Sequence, residues 1–89
     1  MARKIEFDPA AIRELEKLDE TVERRIVRFL RGRVANLDDS RQIGGSLQGT
    51  RDGLWKYRVG DYRIICSLEH DRLVVLVLQV GHHREVYNR

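Results

Sequence analysis

Proline, cysteine, methionine and tryptophan each occur once in this chain. The lone Cys66 can form neither an internal disulfide nor a cysteine-based zinc cluster. On that basis the chain reads as a protein of a reducing compartment, with the cytoplasm the expected location. Histidine is scarce as well. His70, His82 and His83 lack the spacing to carboxylates that a metal site needs, so no metal and no cofactor is expected. No apolar run approaches the length of a membrane-spanning helix, so no membrane partner is expected. The Met1-to-Asp8 start is basic but has no apolar core, so no secretory signal is visible. Charge of one sign is lacking too. The 17 basic residues face 14 acidic ones for a net charge of +3, which excludes a histone-like polycation. Any reading as a polyanion binder must rest on where the cations fall. Repeats, linkers and low-complexity segments are missing. With 89 residues, one domain over 1–89 is expected, with no room for a second core or a catalytic barrel.

What is present is a mixture suited to a small globule: 42% hydrophobic and 35% charged residues, which argues against disorder. Of the 17 cations, 14 are arginines and 3 lysines. The arginine guanidinium is a permanently charged planar fork that matches phosphate oxygens bidentately, whereas lysine is a point charge.

Residues 3–7 alternate, with Ile5 and Phe7 on one face and Lys4 and Glu6 on the other, which predicts a short strand. Asp8-Pro9 supplies a helix cap followed by proline at the first helical position. Ile12, Leu15 and Leu18 then follow at helical spacing. Asp19 can cap a second, longer helix whose stripe is Val22, Ile26, Phe29, Leu30, Val34 and Leu37. Its other faces carry Arg24, Arg25, Arg28 and Arg31. Residues 38–53 are rich in Gly, Asp, Ser and Arg and read as a loop, with Leu47 turned inward. The period then changes to two. Leu54 to Arg58 and Tyr62 to Leu68 read as strands joined at Gly60-Asp61. Glu69 to Arg72 reads as a turn, and Leu73 to Val80 as a central strand covered on both faces. Gly81 is expected to end that strand and release a polar tail. The fold class is therefore α+β: an N-terminal strand, a helical hairpin, then a three-strand antiparallel meander forming a small sheet with the helices on one face.

The hairpin carries the strongest chemical signal. With Gly60-Asp61 at the turn, Val59 pairs with Tyr62, Arg58 with Arg63, Tyr57 with Ile64 and Lys56 with Ile65. Trp55, Tyr57, Val59, Tyr62, Ile64 and Cys66 then share an apolar, aromatic face, and Lys56, Arg58 and Arg63 share the other. Directly opposed like charges destabilise a strand pair. Of the four acids after residue 53, Asp61, Glu69 and Asp71 fall in predicted turns and Glu85 in the tail. A basic triad without a strand carboxylate suits a polyanion. Solvated surface charges and an acidic protein partner are the other readings of such a face. Cys66, on the core side, reads as inert packing.

Gly81-His82-His83-Arg84-Glu85-Val86-Tyr87 follows the central strand. Histidine titrates near neutrality and can give or take a proton. Tyrosine can stack on a base or bond a phosphate. A basic clamp, a proton carrier and an aromatic surface are the parts needed to cut RNA without a metal. The 2′-hydroxyl attacks the neighbouring phosphate as a base takes its proton. Cations stabilise the developing charge, and an acid protonates the departing 5′ oxygen. Packing for Tyr87 and simple exposure for His82 and His83 are the structural alternatives.

In Leu54-Trp55-Lys56-Tyr57-Arg58-Val59-Gly60-Asp61-Tyr62-Arg63-Ile64-Ile65, and in Val80 to Tyr87, the chain resembles the RelE/ParE superfamily of bacterial toxins, and within it the RelE branch. The resemblance extends over nearly the whole chain. It implies a RelE-like fold and a toxin of a type II toxin–antitoxin system that acts as a ribosome-dependent endoribonuclease, cutting mRNA in the decoding site. It also implies a cognate RelB-like antitoxin that presents an amphipathic helix and an acidic segment. Lys56 matches a catalytic lysine, a general base or charge stabiliser. Arg58 stands where the best-studied pattern has a second lysine, and Arg63 matches a phosphate-binding arginine. His83 falls near an arginine proposed as general acid, in a tail two residues shorter than in the best-known member, so either histidine can fill that place. Tyr87 matches a tyrosine that stacks on or orients the substrate, and Arg84 and His82 are assigned to substrate contact. The competing expectations are a ParE-like inhibitor that binds DNA gyrase without cutting RNA, and a non-toxic RNA- or protein-binding module.

Overall fold

The structure, a computed structural model, describes residues 2–46 and 54–82. The helical hairpin forms where capping chemistry and apolar spacing agree. Asp8, in extended conformation, accepts a hydrogen bond from Ala10 N at 2.9 Å, and Pro9 opens α1 (Pro9–Glu16). Asp19 accepts from Thr21 N at 3.1 Å and opens α2 (Glu20–Gly32). Ile26 and Leu30 of α2 are fully buried, and the stripe continues through Val34 in a 3-10 turn at Val34–Asn36. Burying each such aliphatic side chain contributes about 1.5–3 kcal/mol. In α1 the buried residues are Ala11 and Leu15, four apart, while Ile12 is 45% exposed. The phase of α1 is thus set by alanine, which lets helix and sheet approach closely, and Ile12 sits a third of a turn off the buried line.

The strands are β1 (Lys4–Phe7), β2 (Gly45–Ser46), β3 (Leu54–Val59), β4 (Tyr62–Glu69) and β5 (Val74–His82). They form one sheet in the order β1-β5-β4-β3-β2. β1 runs parallel to β5, and every other pairing is antiparallel. The expected α+β meander is therefore present, inside a mixed five-stranded sheet. The core lies between the helices and the face formed by Tyr57, Val59, Ile64, Cys66, Val75, Val77 and Val80. Cys66 is fully buried, and burial pushes its thiol pKa up, as inert packing requires.

Several boundaries differ from expectation. α2 ends at Gly32, short of the stripe read through Leu37. The segment read as one loop over 38–53 contains a 3-10 turn at Ser40–Gln42 and the edge strand β2, while Leu47 lies outside the described residues. β5 starts at Val74, because Leu73 takes a left-handed conformation (φ 52°) on leaving the turn. Gly81 does not end β5. It pairs with Arg63, and the strand continues to His82.

β5 also carries an irregularity. Ile65 pairs with Gln79 and Cys66 with Val77, so Leu78 is an extra residue on β5. The Val80 N–H donates to Glu14 Oε1 of α1 at 2.9 Å, a bond spanning 66 residues of sequence. The helical hairpin is thereby fastened to the strand just before it reaches Gly81.

Candidate functional site

The β3–β4 hairpin adopts the register read from its turn. Val59 pairs with Tyr62, Arg58 with Arg63, Tyr57 with Ile64 and Lys56 with Ile65. Gly60 supplies the left-handed residue such a tight turn demands (φ 59°). Alternation then places Lys56, Arg58 and Arg63 on the face turned away from the helices. Lys56 and Arg63 are half-buried, Arg58 exposed.

Lys56 and Arg63 each have a glycine on one side. Gly45 of β2 pairs with Lys56, and a Cβ there would stand 3.8 Å from Lys56 Cε, so the lysine stem lies over a bare backbone. Gly81 of β5 pairs with Arg63 and presents no side chain beside it. Arg58 Nε donates to Gly60 O at 2.9 Å, which draws its guanidinium along the strand toward the turn and away from the directly opposed Arg63. That bend relieves the like-charge opposition.

The segment 40–46 is fastened beneath this site. The Tyr57 hydroxyl donates to Ser40 O at 2.6 Å, and Trp55 Nε1 donates to Ile43 O at 2.8 Å. Tyr57 is 1% exposed, and burial is the main reason its phenol pKa is raised. Gly44 has φ 81°, and a Cβ there would stand 2.3 Å from Lys56 O. This close approach is not legible in the sequence, where Gly44 is one of several glycines in a polar stretch.

Two expectations about the site change. Glu69 belongs to β4, not to a turn, and shares the face of Arg63. Six residues of strand separate the two by about 20 Å, and Glu69 is held by Arg72 at 2.6 Å. The face is therefore divided, with an ion-pair cluster of Glu6, Glu69 and Arg72 at one end and Lys56 and Arg63 at the other. His82 is the second change. Because β5 continues through Gly81, His82 pairs with Tyr62 and lies on the helix-side face, its ring edge-on to Tyr62 at 5.9 Å. Of the expected site residues the structure brings Lys56, Arg58 and Arg63 together and sets His82 apart. His83, Arg84 and Tyr87 lie outside the described residues. Among the described residues no cluster of three or more His, Cys, Asp or Glu side chains can hold a metal ion, and no helix is long and apolar enough to cross a membrane.

The family model of the ParE toxin of type II toxin–antitoxin systems matches residues 5–87. The chain belongs to the ParE toxin family. Toxin RelG of Mycobacterium tuberculosis (strain ATCC 25618 / H37Rv) is 26% identical to this ParE-family chain over 89 residues, all of both proteins. Among solved structures, the toxin–antitoxin complex RelBE2 of Mycobacterium tuberculosis matches with a TM-score of 0.80 at 25% identity, over 92% of each chain. A double mutant of Escherichia coli toxin RelE in the free state matches with a TM-score of 0.78 at 28% identity, over 99% of this chain and 93% of that one. The intact E. coli RelBE complex gives 0.74 at 28%, over 91% and 96%. The ParE-family chain is thus a toxin of the RelE/ParE superfamily from a type II toxin–antitoxin system.

Proposed function

We propose that this toxin is a metal-independent, ribosome-dependent endoribonuclease that cleaves mRNA in the decoding site and is neutralised in the cytoplasm by a RelB-like antitoxin. The observation that carries the reading is the hairpin register, which sets Lys56 and Arg63 on one sheet face with glycine beside each. Gly45 and Gly81 put no side chain of their own beside either cation, which suits a phosphodiester that must reach both. In this scheme Arg63 clamps the scissile phosphate, and Lys56 takes the 2′-hydroxyl proton or stabilises the charge that develops. Arg58 adds charge at the turn and, as an arginine, does not accept a proton. The general-acid role goes to His83 in preference to His82, which packs on Tyr62 across the sheet. Tyr87 orients the base, and Arg84 contacts the strand.

Similarity to E. coli RelE and to RelBE complexes supports both the activity and the antitoxin. In a translating extract the toxin should produce discrete mRNA cuts, and Arg63→Ala should abolish them without unfolding the protein. Cleavage undiminished in that variant would refute the clamp. A second reading has its own support, since the matching family model is that of ParE. It is stoichiometric inhibition of DNA gyrase without RNA cleavage. A supercoiling assay on purified gyrase separates the two.

A further inference from the structure

By its sequence the second helix presents its arginines to solvent, but in the fold three arginines of the helix and its C-terminal cap converge with the hairpin. Arg25, Arg28 and Arg33 join Arg58 around a groove between α2 and the end of β3, floored by Phe29 and Val59. The lining residues include no acid. None of the ion pairs among the described residues involves these four arginines. The crowding is close at Gly60. Arg25 Nη1 comes within 3.3 Å of where a Cβ on Gly60 would sit, while Arg58 Nε donates to the Gly60 carbonyl. Two guanidiniums therefore meet over one residue. Asp61, the next residue, takes part in none of the ion pairs among the described residues. Like charges held together without a carboxylate repel, and a bound anion relieves that repulsion.

We propose that this groove is a second RNA-backbone site, in which Arg25, Arg28, Arg33 and Arg58 hold phosphates flanking the strand engaged at Lys56 and Arg63. The inference rests on the reading of the toxin as one that acts on RNA. Two features favour RNA over an acidic polypeptide. Arg58 belongs by register to the Lys56–Arg63 face and by its side chain to the groove, so one backbone can run from the face, over the hairpin end, into the groove. Phe29 on the floor offers a ring for base stacking, which tolerates any sequence.

The test uses a 2′-O-methyl oligoribonucleotide, which lacks the attacking hydroxyl and cannot be cut. Its affinity for the full chain is measured by fluorescence anisotropy across a salt series. The triple variant Arg25→Gln, Arg28→Gln, Arg33→Gln should bind more weakly. Its salt slope should be shallower by about 2, or about 0.7 for each single-strand phosphate that the variant leaves unneutralised. Its melting temperature should stay within a few degrees of wild type, because all three side chains are exposed. An unchanged slope and affinity would overturn the proposal, as would a wild-type chain that does not bind the oligonucleotide. Loss of binding to an acidic antitoxin with RNA affinity intact would also overturn it and make the groove a protein surface. Cleavage in a translating extract is read separately. A wild type that binds through the groove but cuts nothing keeps this inference and removes the endoribonuclease reading.

Discussion

Gly44 and Tyr57 show how single residues place the candidate lysine from beneath. Gly44→Ala forces a side chain into a left-handed backbone and against Lys56 O, so the Ser40–Ser46 segment must move off β3. We expect about 2 kcal/mol or more of lost stability in urea unfolding, since strain of this kind costs about 1–3 kcal/mol before the clash is added. Tyr57→Phe keeps the ring packed edge-on to Phe29 but leaves the buried Ser40 carbonyl without its donor. The expected cost is about 1–3 kcal/mol. If the two substitutions act through the same segment, both also lower cleavage by loosening β2, over whose Gly45 the Lys56 stem lies. Arg58→Lys tests the bend at the turn. Lysine lacks the Nε–H that holds Gly60 O, so the salt dependence of RNA binding should change more than folding stability does.

Among the elements, β5 departs most from its sequence pattern. Leu73 to Val80 reads as an uninterrupted apolar strand, and nothing in it announces the extra residue at Leu78 or the bond from Val80 N to Glu14. Glu14 looks like an ordinary solvent-facing carboxylate of a short helix. Val80 lies beyond Phe7–Val77, the last pair of β1 with β5, and the carboxylate satisfies its N–H there. Glu14→Ala should therefore cost about 1–3 kcal/mol in thermal or urea unfolding, an amount typical of an orphaned buried N–H rather than of a surface substitution. Glu14→Gln retains an acceptor oxygen and should recover most of that stability. An effect of Glu14→Ala within about 0.5 kcal/mol, the size of an ordinary surface change, would show that the bond contributes nothing. The helix starts, by contrast, are legible, because Asp8-Pro9 and Asp19 are local signals that act through their own backbone.

At the scale of the whole molecule, two groups in one core respond to pH in the same direction. Burial raises the pKa of Cys66, and burial raises that of Tyr57. The unfolded thiol ionises near about 8.5 and the unfolded phenol near about 10. Above those values the unfolded chain has released protons that the folded chain still holds. The stability tied to the neutral groups is therefore whole below pH about 8.5 and falls as pH rises further, by up to about 1.4 kcal/mol per pH unit for each group. The melting temperature should decline from about pH 9, and in Cys66→Ala the decline should begin only where the phenol takes over. A wild-type melting temperature that stays level from about pH 8 to 10 would contradict the buried thiol.

Turn chemistry and alternation are enough to specify the hairpin. Gly60-Asp61 and the period of two set the Arg58–Arg63 and Lys56–Ile65 pairings, because in a tight turn register follows from residues adjacent in sequence. The helix starts and the α+β class are legible for the same reason, and the resemblance in those segments leads to the toxin superfamily. Long-range packing decided the rest. The parallel pairing of β1 with β5, the insertion of β2 beside Lys56, the passage of β5 through Gly81 and the meeting of α2 with the hairpin each join residues far apart in the chain. No local propensity encodes such meetings, since they follow from burying one face of the sheet under two helices. That burial turned His82 away from the cations and brought Arg25 and Arg28 of α2, with Arg33 at its C-terminal cap, to the side of Arg58.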